Sequence, residues 1–535
     1  MKLTGAIVIA CLLAVLSLPL VARRTAGGGE VRATDSVRTL VVITPHVEQI
    51  LAEFGPAFSA WHERRYGEAV RLDVRRPGGT SEILKQLSAQ YSAAWKGGHF
   101  DERTLEFTGA VSDFPDVMFG GGSYDHGRVK DGIKVERADG ESVTLPMSTP
   151  MGFTQEQLDA WYGENVIGSG VLYDPEQYWL GTALSSFGIV YNREVMSRLG
   201  VDEPESFGDL TDPKLRGWIA LADPRQSGSI TTTFDSILAA EGWDEGWRIL
   251  REMCANARYF TMSSTKPPID VSMGEAAAGL AIDFYGRSQA QSVMREGESR
   301  VGYADPAGSV QIDADPVSIL RGGPDPELAR RFVEFCMSEE GQALWQFHSR
   351  AYRERNGTAG VVGKDGVTLG PTTYELRRLP VRRVMYERYF EHFVDRVDPF
   401  AIASSARPGA WRSAIGIMMG AFAIDTLDDL HPAWDALCRA RADASFPPGA
   451  LAEMERLFYA WPEQELGDGR VLVFSEANYR DVRGAWRDPA VQARAQIAYT
   501  KFFAENYRRV VDIYHGREVG SDAGVIGQGE RKDAA

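Results

Sequence analysis

A chain of 535 residues is too long for one hydrophobic core, and roughly two to four domains are expected. Hydrophobic residues make up 44% and charged residues 25%, a globular balance that excludes wholesale disorder. Acidic side chains outnumber basic ones 74 to 58, giving a formal charge of −16. This argues against nucleic acid as a partner and requires any bound anion to be attracted by local groups.

Lys2 precedes an apolar run over 5–22 that Arg23-Arg24 closes. Its length lies between a secretory core and a membrane-spanning helix, so residues 1–26 read as a signal peptide or an N-terminal membrane anchor. Either puts the body in the periplasm or otherwise outside the cytoplasm, tethered to the inner membrane in the second case. Residues 27–38 are small and polar, a linker. Besides Cys11, Cys254, Cys336 and Cys438 lie in helical apolar contexts and read as buried small hydrophobes, with a single bridge left open.

Residues 39–43 form an uninterrupted β-branched run suited to a strand buried on both faces. After Thr44-Pro45-His46, the spacing of Val47, Ile50, Leu51, Phe54, Phe58 and Trp61 predicts a helix. Residues 71–75 form a second strand, and Gly78-Gly79-Thr80-Ser81 opens a helix with Ile83, Leu84, Leu87 and Tyr91 on one side. Strand, helix, strand, helix at this spacing predicts βαβ units in a parallel sheet. A third strand, 115–119, ends in Gly120-Gly121-Gly122, which admit a ligand close to the backbone or simply make a turn. Residues 124–164 read as a polar surface insertion with a helix near 155–161. Residues 173–179 form an aromatic-rich loop before a strand at 183–191.

A second α/β set follows. The apolar run 218–221 is stopped by Pro224, and Ser227-Gly228-Ser229 opens a helix carrying Ile230, Phe234, Ile237 and Leu238. That start offers unpaired N–H groups, two hydroxyls and a positive dipole end, either a simple cap or an anion site. Further elements are a short helix at 267–273, a strand at 279–283 followed by Phe284-Tyr285-Gly286, and strands at 301–304 and 316–320 that cross back. Helices at 326–337 and 338–347 precede a basic loop-to-helix segment over 376–386, and from 398 the pattern is largely helical. Asp313 and Asp315 read as turn caps, because Asp315-Pro316 is a turn dipeptide. No nucleophile elbow, zinc-protease, P-loop or paired-cysteine motif is present, so no enzyme, cofactor or metal is read.

From 39 to 400 the chain resembles the extracellular solute-binding proteins of ABC importers, family 1, in the branch that includes ferric-ion and phosphonate binders. The resemblance rests on the strand–Pro45-His46–helix start, Gly79-Thr80-Ser81, Pro115-Asp116-Val117-Met118-Phe119 and Tyr178-Trp179. It rests also on Gly188-Ile189-Val190-Tyr191-Asn192, Ala222-Asp223-Pro224-Arg225-Gln226-Ser227-Gly228-Ser229 and Glu339-Glu340-Gly341-Gln342. It implies a two-lobe α/β architecture of the type II periplasmic-binding-protein kind. Lobe 1 comprises 39–182 and a return segment 305–400, lobe 2 comprises 183–304, and 401–535 form a helical C-terminal extension, expected to pack on lobe 1.

The resemblance further implies a ligand held between the lobes by His46, Gly79, Thr80, Ser81, Gly121, Gly122, Trp179, Ser185, Ser227, Gly228, Ser229, Asp283 and Tyr285. Tyr178, Trp179 and Phe187 would wall an organic portion. The iron-binding branch uses a His, a Glu and paired Tyr; here only His46 and Tyr285 stand in place, too few for a ferric ion. The implied function is delivery of a small anionic solute, whether an oxyanion, a phosphonate or a ferric complex, to an inner-membrane ABC permease by lobe closure. The alternative is a membrane-anchored ligand sensor or scaffold built on the same fold.

Overall fold

A computed structural model describes residues 37–109, 113–295, 298–466 and 468–516. The segment read as signal peptide or anchor, with nearly all of the linker, lies outside these residues. No described helix is long and apolar enough to cross a membrane.

The first elements are β1 (Arg38–Ile43), α1 (Glu48–Tyr66), β2 (Val70–Arg75), α2 (Thr80–Lys96) and β3 (Val117–Phe119). β1 pairs in parallel with β2 and β3, the βαβ arrangement that the spacing predicts. The polar stretch that follows is more ordered than its sequence suggests. It folds into α3 (Ser123–Asp131), a hairpin of β4 (Ile133–Glu136) and β5 (Ser142–Leu145), and α4 (Gln155–Tyr162).

β6 (Leu180–Asn192) runs 13 residues with every one buried. After α5 (Arg193–Leu199), the second set brings β7 (Ile219–Ala222), α6 (Gly228–Ala255), β8 (Ala257–Thr261), α7 (Lys266–Met273), β9 (Ala278–Ile282) and α8 (Asp283–Ser292). Gly242, at φ 81°, kinks α6 near its middle. β10 (Val301–Ala304) and β11 (Ile312–Ile319) return, and α9 (Pro326–Cys336) and α10 (Glu339–Gln346) cover the first half of the sheet.

The sheet order is β2-β1-β3-β11-β6-β9-β7-β8. It is a doubled pattern: β2-β1-β3 and β8-β7-β9 are each all-parallel, with an edge strand, a first strand and a third strand in the same order. Antiparallel β11 and β6 join them, and β6 pairs with β11 up to Ser186 and with β9 from Phe187. This is the type II periplasmic-binding-protein architecture that the resemblance implies.

The C-terminal extension corrects one expectation. Its elements include α11 (Arg412–Met419), α12 (Leu427–Ala442), α13 (Pro448–Tyr459) and α14 (Pro489–Tyr514), together with a small hairpin at Glu463–Glu465 and Val471–Val473. They share one core with the second half, not the first: Trp243, Trp247, Leu250 and Met253 of α6 are buried with Met418, Phe422, Trp434, Phe503 and Tyr507. The reason is supply of apolar surface. Phe332, Phe335 and Trp345 already seal the face of the first half against Phe54 and Phe58, whereas Trp243 and Trp247 of α6 pack against aromatic rings of the extension. Cys254, Cys336 and Cys438 are all buried and unpaired.

Candidate functional site

In a parallel sheet, loops at the carboxyl ends of strands gather on one side, where helix N-termini also point. Here six such loops, three from each half, line one cavity of about 520 Å³. The doubled topology pairs them. Pro45-His46-Val47 after β1 correspond to Gln226-Ser227-Gly228-Ser229 after β7. Gly79-Thr80-Ser81 after β2 correspond to Ser263-Ser264-Thr265 after β8. Gly121-Gly122 after β3 correspond to Phe284-Tyr285 after β9. The lining also includes Asp125 of α3, Ser185 and Phe187 of β6, Asp313 and Asp315 of β11, and Arg378 and Arg412.

On the first side, the Thr44 hydroxyl donates to the Phe119 carbonyl at 2.6 Å and accepts the His46 N–H at 3.0 Å, tying the β1 loop to the end of β3. The His46 ring packs edge-on against Phe119 at 4.6 Å, and its Nε2 lies 3.4 Å from the Asp315 carboxylate. Burial, and then the Arg378 charge, hold His46 well below the usual histidine range, so it is neutral at pH 7. Gly120 has φ 93°, and a Cβ there would come within 2.3 Å of the imidazole; only glycine fits. Gly122 N–H donates to the Asp125 carboxylate at 3.2 Å, and Ser123 N–H to Asp313 at 3.2 Å. Burial raises both acids.

On the second side, the start of α6 is a chain of hydroxyls. Ser227 Oγ and Ser229 Oγ lie 3.2 Å apart, and Ser229 Oγ lies 2.8 Å from Ser264 Oγ. No side-chain cap hydrogen bond is made at the first turn of α6, and Gly228 and Ser229 of that turn line the cavity. At the floor, the buried Arg378 guanidinium forms an ion pair with Asp315 and lies 4.0 Å above the Phe284 ring. Its Nε has no partner. Burial lowers its pKa to about 10, which still leaves it cationic.

Eleven of the thirteen sequence-assigned residues meet at this cavity; Trp179 and Asp283 do not. Trp179 precedes β6 at its far end, six residues or roughly 20 Å from Ser185. Tyr178 is likewise outside, beneath Lys130, and only Phe187 of the proposed aromatic wall is in the lining. Asp283 is fully buried, and burial pushes its pKa up to about 7. Asp313 and Asp315 are not turn caps: two apart on β11, they share the face turned to the cavity. Sequence reasoning missed Ser263-Ser264-Thr265, Arg378 and Arg412. The first is visible as a hydroxyl-rich turn after a strand, the second as part of the basic segment 376–386.

Among the described residues no group of three or more His, Cys, Asp or Glu has metal-holding geometry. Arg378, the first turn of α6 and hydroxyls suit an anion, while Asp125, Asp313 and Asp315 suit hydroxyl donors.

Residues 156–357 match a family model described as bacterial extracellular solute-binding protein. An uncharacterized protein of Haemophilus influenzae is 27% identical over 205 residues, 38% of this chain and 55% of its own length. The phosphoglycerate transport regulatory protein PgtC of Salmonella typhimurium is 22% identical over 165 residues, 31% of this chain and 40% of its own. The chain thus spans about half the length of the curated relatives it matches. Among solved structures, iron-bound HitA from Pseudomonas aeruginosa is similar at 17% identity and a TM-score of 0.44, over 71% of this chain and 95% of its own.

Proposed function

From its bacterial extracellular solute-binding domain, in a family of binding proteins rather than enzymes, we propose that the protein captures a small anionic, hydroxyl-bearing solute outside the cytoplasm. It hands the solute to an ABC permease in the inner membrane. The two halves of the sheet act as lobes that close on the solute, and binding energy selects the closed state.

One observation carries this reading: equivalent loops from both halves converge on a single cavity that contains a buried guanidinium and a row of hydroxyls. The volume, about 520 Å³, is within the range of organic ligand sites and larger than a bare oxyanion requires. The carboxylates decide the rest. Asp125 and Asp313 would repel a naked phosphate or sulfate but accept hydrogen bonds from hydroxyls on the same solute. A phosphorylated or carboxylated polyol satisfies both walls. The phosphoglycerate named for the PgtC relative is of this class, and the lack of a second tyrosine beside Tyr285, with no metal-holding group of His, Cys, Asp or Glu among the described residues, argues against a bare ferric ion.

Native mass spectrometry of protein purified without added ligand would reveal a retained solute. Thermal shifts against inorganic phosphate, sulfate, phosphonoacetate, 3-phosphoglycerate, fructose 6-phosphate and ferric citrate would then rank classes. Ligand at 100 times its Kd adds about 2.7 kcal/mol, ample for detection. Stabilisation by organic phosphates above inorganic phosphate is the expected order; stabilisation by ferric citrate alone would overturn the reading.

A further inference from the structure

We infer that Arg412, supplied by the C-terminal extension, belongs to the ligand cleft and links its two walls by facing Asp125 across it. This rests on the reading of the cavity as a solute cleft. The extension then completes the site as well as covering the second half.

Arg412 opens α11 and lines the same cavity as Asp125. Its Nη1 donates to the Asp235 carboxylate and its Nη2 to the Thr232 hydroxyl, each at 3.2 Å. Ser229, Thr232 and Asp235 are spaced three apart on α6, so one helix face runs from the cleft hydroxyls to the extension. Asp235, 2% exposed, also accepts the Gly409 N–H at 3.0 Å, which fixes the loop that delivers Arg412. The side chain keeps about a third of its surface exposed, and it is not consumed by that docking.

A second strap ties the β7–α6 loop to the extension. Arg225, just before the Ser227-Gly228-Ser229 turn, bridges Asp223 at 2.8 Å and Asp425 of the extension at 2.9 Å. Gly416 and Gly420 make room for it, since a Cβ would stand 3.4 and 3.2 Å from its side chain. The β7–α6 loop is therefore gripped by the extension on both flanks. On the opposite wall, Asp125 sits at the start of α3, partly buried and lining the same cavity; burial raises its pKa, and hydrogen bonds from Gly122 and Thr80, then the Arg412 charge, pull the other way. A cation held by one half, acting on an acid held by the other, favours their approach.

The test uses the full chain carrying Cys11→Ser, with spin labels at Lys85→Cys on α2 and Met273→Cys on α7, both exposed and on opposite halves; Cys254, Cys336 and Cys438 are buried. Distances are measured by pulsed electron resonance without ligand in the parent, in Arg412→Gln, in Asp125→Asn and in the double variant. Asp125→Asn leaves the docking of Arg412 on Asp235 intact, so it separates the cleft role from extension docking. The expected result is a shift toward longer distances in each single variant and no further shift in the double. Unchanged distances in Asp125→Asn, or additive shifts, would overturn the inference and leave Arg412 as a docking residue only. If no probe solute binds the parent protein, the solute-binding reading fails while this measurement still gives its own answer.

Discussion

Ser229 and Ser264 touch through their hydroxyls at 2.8 Å, joining the loop after β7 to the loop after β8 in one row of donors. Ser227 extends the row to three. Three hydroxyls in a line at a helix start without a side-chain cap have the chemistry to donate to the oxyanion of the proposed solute. Removing a hydrogen bond to a charged group costs about 1.5–3 kcal/mol. Ser229→Ala and Ser264→Ala are therefore each expected to weaken binding of the best organic phosphate by roughly 10- to 100-fold, with little change in ligand-free melting. Titration calorimetry decides it. Undiminished affinity in both variants would remove this row from the site.

Gly120 offers a sharper structural test. Its φ of 93° and a Cβ position 2.3 Å from the His46 ring mean that Gly120→Ala strains the backbone and drives a methyl into imidazole. The expected loss is about 3 kcal/mol or more. Gly98→Ala is the control, because its φ is 71° and nothing lies within 4 Å of its Cβ; backbone strain alone costs about 1 kcal/mol. Equal costs at the two positions would show that His46 yields freely.

The extension makes a third prediction. Trp243 and Trp247 are 5% and 1% exposed, packed against Trp411, Phe422, Trp461, Phe474 and Tyr479 of the extension. A chain ended at residue 404 would leave that face of α6 bare, an apolar patch of the kind that drives aggregation. It is expected to be recovered insoluble, or soluble with strong binding of a hydrophobic dye. A monodisperse product melting like the full chain would mean that the extension is an independent unit.

Two buried groups should tilt stability with pH in opposite directions. His126, hydrogen-bonded to Ser318 Oγ at 2.7 Å and to the Gly120 carbonyl at 3.1 Å, has its pKa lowered by burial to about 4. The unfolded histidine titrates near 6.5, so its contribution is intact above that pH and drains away as pH falls toward 4, by about 3 kcal/mol in all. Asp283 is the reverse: with a folded pKa near 7 it favours the fold when protonated, and that advantage is lost as pH rises from about 4 through 7. Urea melts between pH 4.5 and 8 should show His126→Gln flattening the acid limb and Asp283→Asn flattening the decline toward pH 8. An Asp283→Asn profile parallel to the parent would contradict the second assignment.

Much of this was legible from the chain because parallel strands write themselves plainly. The β-branched run of β1 and the stripe from Val47 to Trp61 dictate one βαβ unit, and Ser227-Gly228-Ser229 announces a helix start. The equivalence of loops was harder. Gly79-Thr80-Ser81 looks like the counterpart of Ser227-Gly228-Ser229, yet the sheet order makes Ser263-Ser264-Thr265 its true mate. Nothing local marks that relation, since it is a property of strand order. Arg378 reached the cleft for a similar reason: its N–H donates to the Trp345 carbonyl at 3.1 Å, a contact between segments with no shared motif. Trp179 failed in the other direction. Aromatic character suggested a ligand wall, but strand direction put it at the wrong end of β6.

β6 and β11 also fix the order in which this molecule can be made. Met118 and Phe119 of β3 find their neighbours at Ser318 and Val317, some 200 positions onward. Emerging from the ribosome, the first three strands must wait with one edge unpaired until about three fifths of the chain has been synthesised. The second parallel set lies within one contiguous stretch and can assemble earlier, although its outer helix stays greasy until the last hundred residues arrive. Such long-range closure slows folding and prolongs exposure of a sticky edge. Slow or chaperone-assisted maturation follows from the wiring of the sheet alone.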